Sequence, residues 1–428
     1  MKNTNLIEEI FSFFLENEFT DKELIKIKKS VDDDKLTYES YKTCFDKKAF
    51  KLDKVIKTKS EFYQIYLDSR SLIDDYIKNA DNNSLLMELN QNKDILYKNY
   101  SNPYAKYYLF RLLIERLYDD YYMPCNNYAT VEVRKLLNYF ESINHRCIIT
   151  GQHTQTIPQE ELSHIKKITG YYPKLVGYEL LALSQNINPN SDNVCLEEVE
   201  DNKGTMQVAL YDTKDTIITF TWHMFSPLYG CGKSFYAENT EFDIRKIFDN
   251  NSNEYKAFMN ELEHMSKVLK HFYDAKKPIL FRPFHEADGK WFWWGKYGAE
   301  YASKLYILTY DFLVKEKGLN NLIWVWNSID AYPGDEYVDI ISVDCYGEEK
   351  DAITCYMDKY NELITKVSSN KLVALAECDV IPDFNELLSN NFPFIYYMTW
   401  SKEFALTEKY NSNDKLKEFY REKDTIKI

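Results

Sequence analysis

Arg282, His285 and Glu286 stand close together at the end of a short apolar run, 277–280, and Trp291, Phe292, Trp293 and Trp294 follow at once. A carboxyl group beside cationic and imidazole groups can give up a proton in its acid form or act as a nucleophile in its ionised form. Tryptophan faces beside it suit the C–H side of a pyranose ring. Residue types and spacing therefore point to cleavage of a glycosidic bond, which needs two carboxylates rather than one.

The second carboxylate comes from the element pattern. Apolar runs that read as strands fall at 146–151, 174–179, 216–223, 278–286, 321–327, 338–344, 372–377 and 394–400, with helical patterns such as 253–273 and 299–317 between them. Eight βα units over about 300 residues predict an α/β fold, a (β/α)8 TIM barrel, whose active site lies at the C-terminal ends of the strands. A doubly wound sheet is the competitor, but the first turn, Gly151-Gln152-His153-Thr154-Gln155, lacks its glycine-rich loop. The strand ends carry Gln152 and His153, Glu179, His223, His285 with Glu286, Asn327, Asp344 with Tyr346, Glu377, and Trp400. Glu286 ends the fourth run and Glu377 the seventh. Their separation of 91 residues is close to three units of a typical barrel, ~94 residues. Glu286, near the tryptophans, is expected to hold its proton and act as acid/base. Glu377 is then the nucleophile, with Tyr346 and Arg282 as candidate donors to it. His153 is read either as a ligand-site residue or as a polar cap on the first strand. Trp291 and Trp400 are expected to face ligand.

Residues 1–126 differ. Leu6, Ile7, Ile10, Phe11 and Phe14 recur at helical spacing, as do Phe62, Ile65, Tyr66, Ile73 and Ile77, and strand-type alternation is nearly absent. The expectation is an all-α N-terminal domain over 1–126 and a barrel over 127–428, with 124–127 as linker. The 428-residue chain carries a net charge of −14. Its first 126 residues hold 20 Lys and Arg against 22 Asp and Glu, leaving 33 against 45 for the remainder. Phosphate binding needs a basic footprint, so nucleic acid is not an expected partner. The N-terminus lacks the apolar core of a signal peptide, and no window approaches the ~18 apolar residues of a membrane span. The expected compartment is the cytoplasm if the chain is complete, or the extracellular space if a signal has been removed. The eight cysteines form no CxxC pair, and Cys147, Cys345 and Cys378, in or beside strands, are expected to be buried thiols.

Two motif-like stretches fail on inspection. His285-Glu286 is not a zinc-binding HExxH helix, because Gly289 stands where the second histidine belongs. Gly230-Cys231-Gly232-Lys233-Ser234 resembles a P-loop, but Pro227 occupies the place of its first glycine. No metal and no cofactor are expected.

Longer motifs carry a family resemblance. Arg282-Pro283-Phe284-His285-Glu286, then Gly289 and 291–295, resembles the signature of glycoside hydrolase family 26, the β-mannanase family of retaining (β/α)8 enzymes. Gly151-Gln152-His153, Trp222-His223, Tyr332-Pro333-Gly334-Asp335, Asp344-Cys345-Tyr346, Ala374-Leu375-Ala376-Glu377 and Met398-Thr399-Trp400-Ser401 follow the same family in order, from about residue 130 to 428. The resemblance implies Glu286 as acid/base and Glu377 as nucleophile. It implies that His223, His285 and Arg282 shape the site and that Trp291 and Trp400 are sugar platforms. It further implies that Tyr346 orients the nucleophile with Asp344 behind it. The substrate it implies is a β-1,4-mannan, a glucomannan or their oligosaccharides. Mixed-linkage β-glucan and β-1,3-xylan are the alternatives within the family. The alternative of another class is a glycan-binding protein whose helical module docks a protein or polymer partner; residues 1–126 match nothing in the family.

Overall fold

The computed structural model describes residues 124–428 except 127, 156–158, 188–195, 348–351 and 369–370. The expected helical domain over 1–126 lies outside the described residues, apart from its last few positions. Of these, Cys125 and Asn126 are buried: the Cys125 amide donates to Asp339 Oδ1 (2.7 Å) and Asn126 Nδ2 to Asn320 Oδ1 (3.1 Å).

Eight parallel strands close into a barrel: β1 (Gly151–His153), β2 (Leu175–Glu179), β3 (Ile217–Trp222), β4 (Ile279–Pro283), β5 (Leu322–Asn327), β6 (Ile340–Cys345), β7 (Leu372–Cys378) and β8 (Tyr397–Thr399). Their residues are buried on both sides with one partial exception, Asp344. That is why they read as continuous apolar runs rather than alternating ones. The first expected strand is displaced. Ile148–Ile149 pairs with Thr425–Ile426 outside the barrel, and the barrel strand begins only at Gly151.

Closure depends on a side chain. β1 and β8 share one register pair, Gln152 with Thr399. Gln152 Nε2 donates to the carbonyls of His153, Thr399 and Trp400, and its Oε1 accepts from the Thr399 hydroxyl. Gln152 is thus a seam residue and not part of the open rim.

The helices cover the barrel with apolar stripes. Asn253–Asp274 begins at Ser252, whose hydroxyl accepts from the Tyr255 amide (2.9 Å), a serine N-cap. It buries Phe258, Leu262, Met265, Leu269 and Phe272, spaced three and four apart. Among the described residues no helix is long and apolar enough to cross a membrane.

Two cysteines depart from expectation. Cys345, at the end of β6, forms a disulfide with Cys355 on the helix Ala352–Glu362, ten residues on. The expectation of a buried thiol at Cys345 fails because the helix returning from β6 brings Cys355 against the strand end. Cys378 is a buried free thiol, and Cys147 is a half-buried one.

Candidate active site

The two ends of the site are shaped by local irregularity. After β4 the chain turns sharply, with Phe284 and Glu286 both at positive φ (55° and 52°). Side chains with a Cβ resist this region, so it is held by its surroundings. The Glu286 amide donates to Asn327 Oδ1 (2.7 Å), and Trp294 Nε1 donates to the His285 carbonyl (2.8 Å). On the opposite side the register of β7 against β8 shifts between Leu375 and Cys378, and that of β6 against β7 shifts at Val343/Asp344. Bulges of this kind re-aim side chains, and Glu377 lies within the first of them.

These turns bring Glu286, Asp344 and Glu377 together. A carboxylate oxygen of each lies within 4.8 Å of the others. Three carboxyl groups so close could in principle cage a cation, but a protein cation is already in place. Arg282, fully buried, donates from Nη1 to Asp344 Oδ2 (2.8 Å), and from Nη2 to Thr221 Oγ1 (2.9 Å) and to Glu377 Oε1. Burial works against the guanidinium's charge, but the Asp344 and Glu377 charges more than offset it. Asn327 Nδ2 reaches Asp344 Oδ1 (2.9 Å) and Ser342 Oγ (3.1 Å). Burial pushes the Asp344 carboxyl well up, Arg282 pulls it down, and the Glu377 and Glu286 charges add to the rise. Two of the three carboxyls, Asp344 and Glu377, share the Arg282 guanidinium, and Glu286 feels its charge without bonding to it. Removing that cation strands buried charge. Arg282→Ala is expected to destabilise the barrel by about 3–5 kcal/mol, read as a lower midpoint in urea unfolding; an unchanged midpoint would remove Arg282 from the structural account.

The two glutamates differ in their partners. Tyr346 Oη donates to Glu377 Oε2 (2.6 Å), so Glu377 accepts from a phenol on one oxygen and a guanidinium on the other. Burial of the Tyr346 hydroxyl, followed by the Glu377 and Asp344 charges, holds this phenol well above its ordinary value, and it remains a donor. Among the described residues Glu286 has one side-chain donor, Trp291 Nε1, at 2.7 Å. Its carboxyl is pushed up to about 7 by burial first and the Glu377 charge second, against the Trp291 bond, Arg282 and His223.

Three imidazoles line the other flank. His223 Nδ1 is 2.7 Å from Glu179 Oε2, and His223 Nε2 is 3.2 Å from His285 Nε2. His153, fully buried, stacks on Trp400 with ring centroids 3.8 Å apart, and neither of its ring nitrogens has a hydrogen-bond partner among the described residues. His153 and Trp400 thus share one face, and both readings of His153 as ligand group or strand cap stay compatible with that placement.

The tryptophans separate by role. Trp291 is half exposed (51%) on the loop after β4. Trp293 and Trp294 are fully buried, and Trp293 Nε1 donates to the Met224 carbonyl (2.9 Å). The glycine-rich stretch 230–234 lies in the loop after β3, where Ser234 Oγ accepts from the Ser226 amide and Gly230 bridges Thr240. Glu179 and Asn327, the last residues of their strands, were read from the sequence as polar strand ends but given no role, and Thr221, inside β3, was not singled out.

Residues 125–427 match the pattern of the Glycosyl hydrolase family 26. The chain belongs to this family. Among relatives, the family 26 chain is 32% identical over 306 residues to a protein of Thermothelomyces thermophilus called mannan endo-1,4-beta-mannosidase, covering 69% of the present chain and 60% of that relative. Less than two thirds of that relative is therefore spanned. Of solved structures, the Podospora anserina GH26-CBM35 beta-(1,4)-mannanase aligns with a TM-score of 0.62 at 29% identity, over 72% of this chain and 68% of that one. A beta-mannanase from a symbiotic protist of the termite Reticulitermes speratus, complexed with gluco-manno-oligosaccharide, aligns with a TM-score of 0.63 at 28% identity, over 71% and 96%. The family 26 match begins at Cys125, one residue after the first described residue, and leaves the segment before it unmatched.

Proposed function

We propose that this family 26 chain is a retaining endo-β-1,4-mannanase. The observation that carries the chemistry is the gap between Glu286 and Glu377, which places an oxygen of each within 4.8 Å. Retaining enzymes hold their carboxyls about 5–5.5 Å apart, whereas inverting ones leave ~6.5–9.5 Å for a water. The unequal environments support the division of labour. Glu377, flanked by Arg282 and Tyr346, is the nucleophile that attacks the anomeric carbon. Glu286, pushed up to about 7, gives its proton to the glycosidic oxygen as that bond breaks. The Glu286 carboxylate then takes a proton from water, whose oxygen displaces Glu377 and returns the sugar with its configuration retained.

In this reading Arg282, Asp344 and Tyr346 hold the nucleophile, while His223, His285 and His153 wall the sugar bound beside it. Trp400, stacked on His153, is a platform on that side. Trp291, bonded to the proton donor, is the platform for the leaving sugar. The mannan assignment is supported by the names of the relatives, and the double displacement is supported by the site itself.

Incubation with mannan, glucomannan, lichenan and β-1,3-xylan, with product sizing and proton NMR of fresh products, tests both parts. Mannan and glucomannan are expected to yield short oligosaccharides whose new reducing ends appear first as the β-anomer. Cleavage of lichenan or β-1,3-xylan alone would overturn the substrate, and α-anomeric first products would overturn the mechanism.

A further inference from the structure

Glu179 ends β2, is completely buried, and touches neither Glu286 nor Glu377 through any hydrogen bond. Its two oxygens are used differently. Oε1 accepts three backbone amides: Leu180 (2.9 Å), Leu181 (3.0 Å) and His223 (2.8 Å). Oε2 faces His223 Nδ1 at 2.7 Å. The backbone amides require only an acceptor, and a glutamine oxygen would serve them equally. Only the imidazole gains from the carboxylate's charge.

The neighbours of that imidazole make the charge consequential. His223 faces Glu179 from β2, His285 and Glu286 from the end of β4, and Glu377 from β7, with Phe235, Phe292 and Trp400 as its aromatic walls. Arg282 and His153 complete the set of cationic or ionisable groups on this flank. Burial works against a charge on His223, but the Glu179 charge and hydrogen bond, with Glu377 and Glu286 behind them, hold it above its ordinary value. His153 and His285 are held well below theirs, by burial first and by the neighbouring cations second. Of the three imidazoles, His223 is the one whose partners favour the charged form. Its Nε2–H then donates to His285 Nε2, which leaves the His285 proton on Nδ1.

We propose that Glu179 is a positioning residue that keeps His223 an imidazolium, and through it sets the charge that the proton donor Glu286 meets at the barrel mouth. The proposal rests on the glycosidase reading above, because it gives that charge a use. A cation facing Glu286 helps it release its proton, so His223 tunes the pH at which the donor empties. Glu179→Gln isolates this effect. The glutamine oxygen keeps the three amides, and its Nε2–H donates to Nδ1 of a neutral His223. His223 then still donates from Nε2 to His285, so the geometry is preserved while the charge is lost.

The test has an arm that needs no substrate. Histidine-selective NMR titration of the wild-type protein is expected to place the His223 midpoint above the ordinary ~6.5, and Glu179→Gln to lower it by about one unit or more. In the activity arm, the basic limb of kcat/KM on mannan is expected to rise by about one pH unit in Glu179→Gln, with the thermal midpoint of unfolding little changed. A wild-type His223 that titrates at or below the ordinary value overturns the proposal without any variant. So does a Glu179→Gln protein with both His223 midpoint and pH profile unchanged, which would make Glu179 only an acceptor for the turn after β2. Should the variant not fold, Glu179→Asp keeps the charge one methylene shorter, and a neutral His223 there overturns the proposal as well. Absence of hydrolysis by wild-type protein on every glycan would instead overturn the glycosidase reading, while the NMR midpoints still report on Glu179 and His223.

Discussion

Glu377→Ala is expected to lower kcat on mannan by about four orders of magnitude, a loss of roughly 5.5 kcal/mol of transition-state stabilisation. The reason is that, among the described residues, the carboxyl cluster offers no other group placed to form the covalent intermediate. Asp344 is within reach of the cluster, but its oxygens are engaged by Arg282 and Asn327 and its carboxyl is held well up. Arg282 should tolerate the change, because it retains Asp344 and Thr221 as partners, while Tyr346 loses the acceptor of its hydroxyl. KM should therefore change much less than kcat. Initial-rate kinetics with a thermal melt as folding control check this, and a kcat within tenfold of wild type would remove Glu377 as nucleophile.

The second large effect concerns the proton donor. Glu286→Ala is expected to lower kcat on mannan by about 10²–10⁴-fold. On an aryl mannoside whose phenol leaves without protonation, the first step should survive, so phenol should appear in a burst. The second step then slows, because no base activates water. The pH dependence follows from the same group. Its acid form is the working form in the first step, and its carboxyl is pushed up to about 7 by burial and the Glu377 charge. Activity of the wild type should thus fall as pH rises through about 7, and the variant should lack that limb on the aryl substrate. A Glu286→Ala protein with equal losses on natural and activated substrates would assign the proton to another residue.

Much of this arrangement was legible before any coordinates. A fully buried parallel strand needs an unbroken apolar run, so all eight strands could be counted, and their helices followed from apolar spacing of three and four. Polar residues closing such runs have no packing purpose, which marked His223, Glu286, Asp344 and Glu377. The boundaries were less legible at the first strand. Ile148 and Ile149 are as apolar as any barrel residue, but they pair with Thr425 and Ile426, 277 residues away, a contact that local pattern does not encode. Trp293 and Trp294 looked like Trp291 in the sequence. They differ because the chain's reversal after Glu286 sends their rings inward, where each indole N–H finds a carbonyl.

Cys345 and Glu179 show the same limit from two sides. The thiol's partner depends on the helix that returns from β6, and the carboxylate's on the neighbouring strand β3, so neither pairing has a spacing rule. What the sequence alone determined is the inventory: eight strands, the polar groups that end them, and two glutamates three barrel units apart. What only the tertiary structure decided is which of those groups meet. Barrel closure converts 91 residues of chain into less than 5 Å of separation, and Coulomb energy depends on that distance and on the burial around it. Proton affinity, and with it the difference between acid and nucleophile, is therefore a property of the closed barrel.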